Sequence, residues 1–326
     1  MPLRRRSILS ATLGAAVTAA VLIAAHSFVS SPATTQAASP RSGADHLGRP
    51  DYGVCRGTDP DCYHDWGNFD PATDGYRVLV YSRTAGPRHA HLGPALPAGL
   101  NPPLAPANAA QSALVKLGAE HDFAVDWTED VTQLSSPSRL FRYNAVIFMS
   151  TTRDALDDPA QTALRQYIRG GGGFVGIHNA FGTEYNWEWY EGLLGGTNYY
   201  DHGRNQPGTV VTGSRKDAST KGLPARWDFA DEWYNLVPFP SDVRVLARVD
   251  EATLPDGAAG GSGHPGHGRD HPVSWCQYYD GGRSWVTTLG HAVEAWTDAP
   301  MAGDQQFTSH VLGGIESAMG RSPFCR

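Results

Sequence analysis

The stretch YNAVIFMSTTRDALDDPAQTALRQYIRGGGGFVGIHNA, residues 143–180, decides how the rest of the chain is read. Ala145 to Met149 is an unbroken apolar run, the pattern of a strand buried on both faces. Asp158 then predicts a helix N-cap, with Pro159 in the first turn and Gln161 at the third position. Ala160, Leu164, Tyr167 and Ile168 recur at helical spacing and predict its buried face, and Arg169 and Gly170 predict its end. Gly171 to Gly173 lead into Phe174, Val175 and Ile177, a second buried strand. That strand stops at His178, flanked by the small residues Gly176 and Ala180. Many α/β enzymes place a Ser or Cys nucleophile on such a sharp turn after a strand. Here the position holds an imidazole.

Outward from this unit the same alternation continues. YRVLVYS (76–82) and FAVDW (123–127) read as strands. Between them a helix is predicted from Asn108, with Gln111 as its capping partner, Ala110, Ala113, Leu114 and Leu117 on one face, and Gly118 at its end. Strand, helix, strand, strand, helix, strand predicts an α/β fold whose mainly parallel sheet carries helices on both faces. Beyond about residue 200 come shorter runs, GTVVTG, VRVLARVD, PVSWCQYY and SWVTTLGH, expected to add strands to the same sheet. A last helix is predicted from Asp304 to Met319, with Phe307, Val311, Leu312 and Ile315 inward. PDGAAGGSGHPGHGRDHP (255–272) reads as a flexible surface loop with His264 and His267 in solvent.

The chain has 326 residues, 40% hydrophobic and 18% charged, enough for one large core, and a formal charge of -7 with no Lys/Arg stripe. That balance argues against a nucleic-acid partner. MPLRRRSILS, an apolar run to about Ala25 and the small-residue stretch SSPATTQAASP predict an export signal over 1–38. Arg5-Arg6-Ser7-Ile8-Leu9 fits the twin-arginine type, whose cargo crosses the membrane folded. Its removal makes the chain more acidic and leaves a secreted protein with no stable membrane insertion. Residues 39–75 read as a surface extension, 76–320 as the folded domain and 321–326 as a tail. Four cysteines allow three pairings. Sequence proximity favours Cys55 with Cys62, closing CRGTDPDC, which leaves Cys276 with Cys325.

Ligands of an open parallel sheet bind beyond the carboxyl ends of its strands, and polar residues fall there repeatedly. Ser82, Arg83, Thr84, Arg88 and His89 follow the first strand; Ser150, Thr151 and Thr152 follow the third; His178 and Asn179 follow the fourth. Later loops add His202, Gln206, Asp231, Glu232, His271 and His291. His178 is the expected acid/base group, with Asp231 or Glu232 as its partner and His89 in the same catalytic set. Arg88, Thr151, Asn179, His202, Gln206, Trp233 and His291 are expected to hold substrate. Two or three of Trp187, Trp189, Tyr190, Tyr199, Tyr200, Trp233 and Tyr234 would stack on it.

These blocks, in order, resemble the ThuA-like (trehalose utilisation) family. The matching segments are RVLVYSRTAGPRH (77–89), residues 143–196, DHGRNQPGTVV (201–211), GLPARWDFADEWYNL (222–236), VRVLARVDE (243–251), DHPVSWCQYYDGGRSWVTTLGH (270–291) and the last helix. The Pro-rich AHLGPALPAGLNPPLAP (90–106) departs from the family's shorter turn. The resemblance implies a flavodoxin-like fold of the class I glutamine amidotransferase type. In those enzymes the elbow after this strand presents a catalytic Cys; His178 stands there instead, so the resemblance does not extend to glutaminase chemistry. It implies a role in handling sugars, a disaccharide or a keto-sugar. The leading expectation is a secreted enzyme on a small carbohydrate with His/carboxylate chemistry and no obligatory cofactor. Two alternatives stand beside it. One is a metal-dependent hydrolase or isomerase using a divalent ion on His89, His178, His202 and His291. The other is a non-catalytic sugar-binding module.

Overall fold

The computed structural model describes residues 50–70 and 75–326. The expected export signal, 1–38, and the start of the surface extension lie outside the described residues. The first strand, β1 (Arg56–Gly57), is only two residues long. Four strands follow from the apolar runs: β2 (Arg77–Tyr81), β3 (Ala124–Thr128), β4 (Ala145–Met149) and β5 (Gly173–Ile177). The shorter runs become β6 (Tyr199–His202), β7 (Gln206–Thr212), β8 (Arg226–Asp231), β9 (Tyr234–Leu236), β10 (Arg244–Asp250), β11 (His271–Tyr279) and β12 (Gly282–Thr287).

The main sheet runs β3-β2-β4-β5-β12-β11-β10-β7-β8. From β3 to β12 every pairing is parallel; from β12 to β8 every pairing is antiparallel. Counted from β2, the parallel strands β3-β2-β4-β5 have the flavodoxin-like order 2-1-3-4. The later strands do join the same sheet, except β6 and β9, which form a separate two-stranded ribbon. β1 pairs with the end of β11, so the segment before the first parallel strand lies against the sheet. Both expected disulfides, Cys55–Cys62 and Cys276–Cys325, are formed.

Alternation along each parallel strand sends side chains to two cores. Val78, Val80, Ile147, Val175 and Ile177 pack with Leu114 and Leu117 of α1 (Ala109–Glu120) and with Phe307, Val311 and Ile315 of the last helix. A four-residue helix, α2 (Pro137–Leu140), precedes β4. Leu79, Tyr81, Val146, Phe148 and Phe174 pack on the other face with Leu164, Tyr167 and Ile168 of α3 (Asp158–Arg169) and Leu193 of α4 (Glu188–Leu193). The last helix, α5, is Asp304–Ala318.

Four local expectations are corrected. The N-cap of α3 is Asp157, whose carboxylate accepts from the Ala160 amide; Asp158 is already helical. Asn108 and Gln111 make no capping box, because both amides serve the Pro-rich loop: Asn108 donates to the Leu92 and Pro94 carbonyls, Gln111 to Ser82 and Leu92. α1 runs past Gly118 to Glu120. The Gly/His-rich segment is also pinned and not free. Asp201 accepts from the Ser262 and His264 amides, and His267 Nε2 accepts from the Leu236 amide.

Candidate active site

His178 ends β5 with φ 52°, in the left-handed region that side chains rarely adopt. Such a backbone costs about 1–3 kcal/mol and persists only where its surroundings over-determine it. Here they do. The ring is fully buried, Nδ1 donates to the Thr288 carbonyl at 2.8 Å, and the Tyr234 hydroxyl donates to Nε2 at 2.9 Å. That fixes the neutral tautomer with the proton on Nδ1 and the Nε2 lone pair facing the Tyr234 hydroxyl. Gly176 packs tightly behind the turn: a Cβ there would sit 3.0 Å from Val286 and 3.1 Å from Phe174, so both side chains would have to give. Burial, and then the neighbouring imidazoles of His89 and His91, push His178 well below the usual histidine range.

Two further imidazoles come from the same end of the sheet. His89 follows β2, and His291 follows β12, the strand parallel to β5. Their ring centres lie 4.7 and 5.4 Å from that of His178. Glu232, at the corner between β8 and β9, closes the group. Its Oε2 lies 3.0 Å from His291 Nδ1, 3.5 Å from His202 Nε2 and 3.9 Å from His178 Nε2. One ligand-type atom from each of His89, His178, Glu232 and His291 lies within 4.8 Å of all the others.

The charge states follow from these neighbours. Burial by itself would raise the Glu232 carboxyl; His291, His202 and His89 outweigh that and hold it low. Burial pulls His291 down, but Glu232 and Asp231 raise it further, so the net direction is up. His89 is pushed down to about 4, by burial first and His291 second, and its buried Nδ1 has no hydrogen-bond partner.

Other expected residues sit elsewhere. Asp231 does not face the cleft. It is fully buried and accepts from the amides of Glu232, Gly290 and His291, and burial raises it to about 7. It therefore positions the His291 loop. Arg88 is a loop clip: its guanidinium takes the Leu92, Gly93 and Pro94 carbonyls and pairs with Glu129 at 2.7 Å. Gln206 ties Asp256 and Gly257, and Trp233 is core, donating to the Gln206 carbonyl. Thr151 is buried against Thr183. Trp189 and Tyr190 are core as well, and Tyr200 points to solvent.

Asn179, His202, Tyr199 and Tyr234 do line a cleft of about 190 Å³ beside His89 and Glu232. Thr152, Arg153 and Tyr185 line it too. Arg153 directly follows Thr152 at the end of β4 and was within reach of the carboxyl-end rule; Tyr185 carried no such signal. His91, three residues past Arg88, is a buried brace that bonds the His291 carbonyl and the Ser150 hydroxyl, both at 2.8 Å. A larger groove, about 590 Å³, lies between α1 and α5, and its lining contains no histidine.

The chemistry here is three imidazoles and one ionised carboxylate beyond the carboxyl ends of parallel strands. No cysteine is free: all four are in disulfides. The sequence profile of the trehalose utilisation (ThuA) family matches residues 77–318. No curated protein sequence matches the chain. Among solved structures, a ThuA-like protein from Bacteroides uniformis is similar over 74% of this chain and 91% of its own, at 24% identity and TM-score 0.57. One from Parabacteroides merdae is similar over 76% and 91%, at 18% identity and TM-score 0.57. The profile spans both halves of the sheet and all four members of the His/Glu cluster, and the chain belongs to the trehalose utilisation (ThuA) family.

Proposed function

We propose that the protein is an exported enzyme of sugar utilisation that transforms a disaccharide or keto-sugar at the His89/His178/Glu232/His291 cluster. The observation that carries this reading is the convergence of four reactive groups, two of which, His89 and Glu232, line a cleft walled by tyrosines. Glu232 is the proton acceptor, since it is ionised and half-buried, and His291 beside it is the proton donor. Tyr199 and Tyr185 offer aromatic faces to a ring, and Asn179 and Arg153 offer donors to hydroxyls. At about 190 Å³ the cleft is smaller than the roughly 300–1,000 Å³ of drug-sized sites. It suits one sugar ring, with a second ring directed outward.

Two disulfides fit an extracellular protein. Among the described residues no helix is long and apolar enough to cross a membrane. Export itself is tested by changing Arg5 and Arg6 to Lys: retained precursor supports the twin-arginine route, and normal secretion rejects it. The enzymatic reading is tested by incubating the purified protein with a panel of disaccharides and their 3-keto forms. New product formed by the wild type and lost in Glu232→Gln supports it. Saturable binding without product leaves a sugar-binding module in its place.

A further inference from the structure

The geometry points to a bound first-row divalent transition-metal ion, held by His89, His178, His291 and Glu232. This deepens the reading of the same cleft as the reacting centre. Three observations carry it. The four donor atoms already lie within 4.8 Å of one another. Bonds of about 2.0–2.2 Å set ligand atoms about 3.3 Å apart in a tetrahedron and about 4.2 Å across an octahedron, so shifts under about 1 Å per side chain complete the set. Second, one imidazole is prepared as a neutral ligand and the loop of another is braced. His178 donates Nδ1–H to the Thr288 carbonyl, the outer contact that fixes a ligating histidine and aims its other nitrogen. The His291 loop is held from both sides, by Asp231 on its amide and His91 on its carbonyl.

Third, the cluster is under-satisfied as a hydrogen-bonding group. His89 Nδ1 is buried without a partner, and His291 Nδ1 lies 3.0 Å from Glu232 but out of line for a hydrogen bond. Buried polar atoms left so are uncommon, and a cation satisfies both. Three imidazoles with one carboxylate suit zinc, cobalt or iron(II), whereas magnesium and calcium take oxygen ligands. The Tyr234 hydroxyl, now on His178 Nε2, is the group an ion must displace. With an ion bound, Glu232 and His291 would be among its ligands, and the ion would supply Lewis-acid chemistry beside the cleft.

The test uses the full exported protein, stripped with chelator and titrated with zinc or cobalt(II), read by calorimetry, metal content and the cobalt visible spectrum. One ion per chain is expected. His89→Ala, His291→Ala and Glu232→Gln should each weaken binding by more than about 10²-fold. Tyr234→Phe should bind as tightly as the wild type or more tightly, because it removes the competitor while keeping the ring. His264→Ala, in a separate histidine group, should change nothing. Far-ultraviolet dichroism of each variant confirms that it is folded. The inference is overturned if the wild type binds no more ion than folded His89→Ala, or if His264→Ala abolishes binding and His89→Ala does not. Turnover that survives stripping also overturns it and leaves the sugar reading intact. An ion bound as described, with no product from any sugar, supports the inference while sinking the substrate reading.

Discussion

Two groups of three histidines and one glutamate stand out among the described residues, and their hydrogen bonding differs. In the Gly/His-rich segment, His271 Nδ1 meets Glu251 at 2.6 Å and its Nε2 donates to the Tyr234 carbonyl at 3.0 Å. His267 accepts from Leu236 and His264 from Gly266. His267 and His271 fasten this segment to the β6–β9 ribbon, and His264 braces the loop itself. In the cleft, His89 Nδ1 is unpartnered and Glu232 Oε2 is shared among three imidazoles. The same residue types fasten a loop in one place and leave nitrogens without partners in the other. Composition alone does not separate the two; the partner of each nitrogen does.

The widest expected gap between the groups is in turnover. Glu232→Gln should lower kcat on the productive sugar by roughly 10²–10⁴-fold, as for loss of a general base. Glu251→Gln should change kcat only a few-fold, and comparable losses in both variants would erase the distinction. Next comes His178→Ala. The ring is fully buried and holds both Thr288 and Tyr234, so its removal should cost stability, about 1–3 kcal/mol for the groups left unpaired, along with most turnover. Denaturant midpoints and rates measured on the same samples check both. A fully active His178→Gln variant would rule out proton transfer by this ring, since glutamine keeps an acceptor but does not titrate.

A smaller effect sharpens the fastener side. Burial first, then His271 and His264, hold His267 down to about 4. Its folded value lies below the ordinary 6.5. The neutral ring therefore contributes stability above about pH 6.5, and that stability is lost as the pH falls through about 4. His267→Gln keeps an acceptor but does not titrate, so its melting temperature should fall less between pH 6.5 and 4 than that of the wild type. Equal slopes would place the acid sensitivity elsewhere. The smallest expected signal is none: glutamine should release no ammonia, because an imidazole stands at the elbow and all four cysteines are in disulfides.

Much of the fold was legible because β-branched apolar runs too short for helices leave few readings, as at Ala145–Met149 and Gly173–Ile177. The antiparallel half was legible as strands but not as a reversal of direction, since GTVVTG and VRVLARVD look alike in either sense. The helix start slipped by one residue because Asp157 and Asp158 are chemically equal and only the extended backbone at Asp157, ψ 169°, marks the cap. Of the clustered residues, His89, His178 and His291 were singled out by one rule, that strands of a parallel sheet end at ligands. Asp231 and Glu232 could not be ranked from sequence. Neighbours along a strand point to opposite faces, and nothing local says which face holds the cleft. Arg88, Gln206 and Trp233 misled because long irregular loops need side chains to satisfy their backbone, and no periodicity announces that duty.

The separation of the cluster along the chain, from His89 to His291 with Glu232 between, has a kinetic meaning. No stretch short enough to fold early contains more than one of the four groups. Contacts that join distant parts of a chain must overcome loop-closure entropy and slow folding. The parallel strands β2 to β5 can collapse around α1 and α3 while the cleft is still missing its carboxylate and its third imidazole. Function therefore arrives with the last strands: β12 must add beside β5 before His291 reaches His178, and Asp231 must grip Gly290 before that loop holds still. A ribosome-bound or truncated chain ending before residue 282 would hold most of the core and none of the finished cluster.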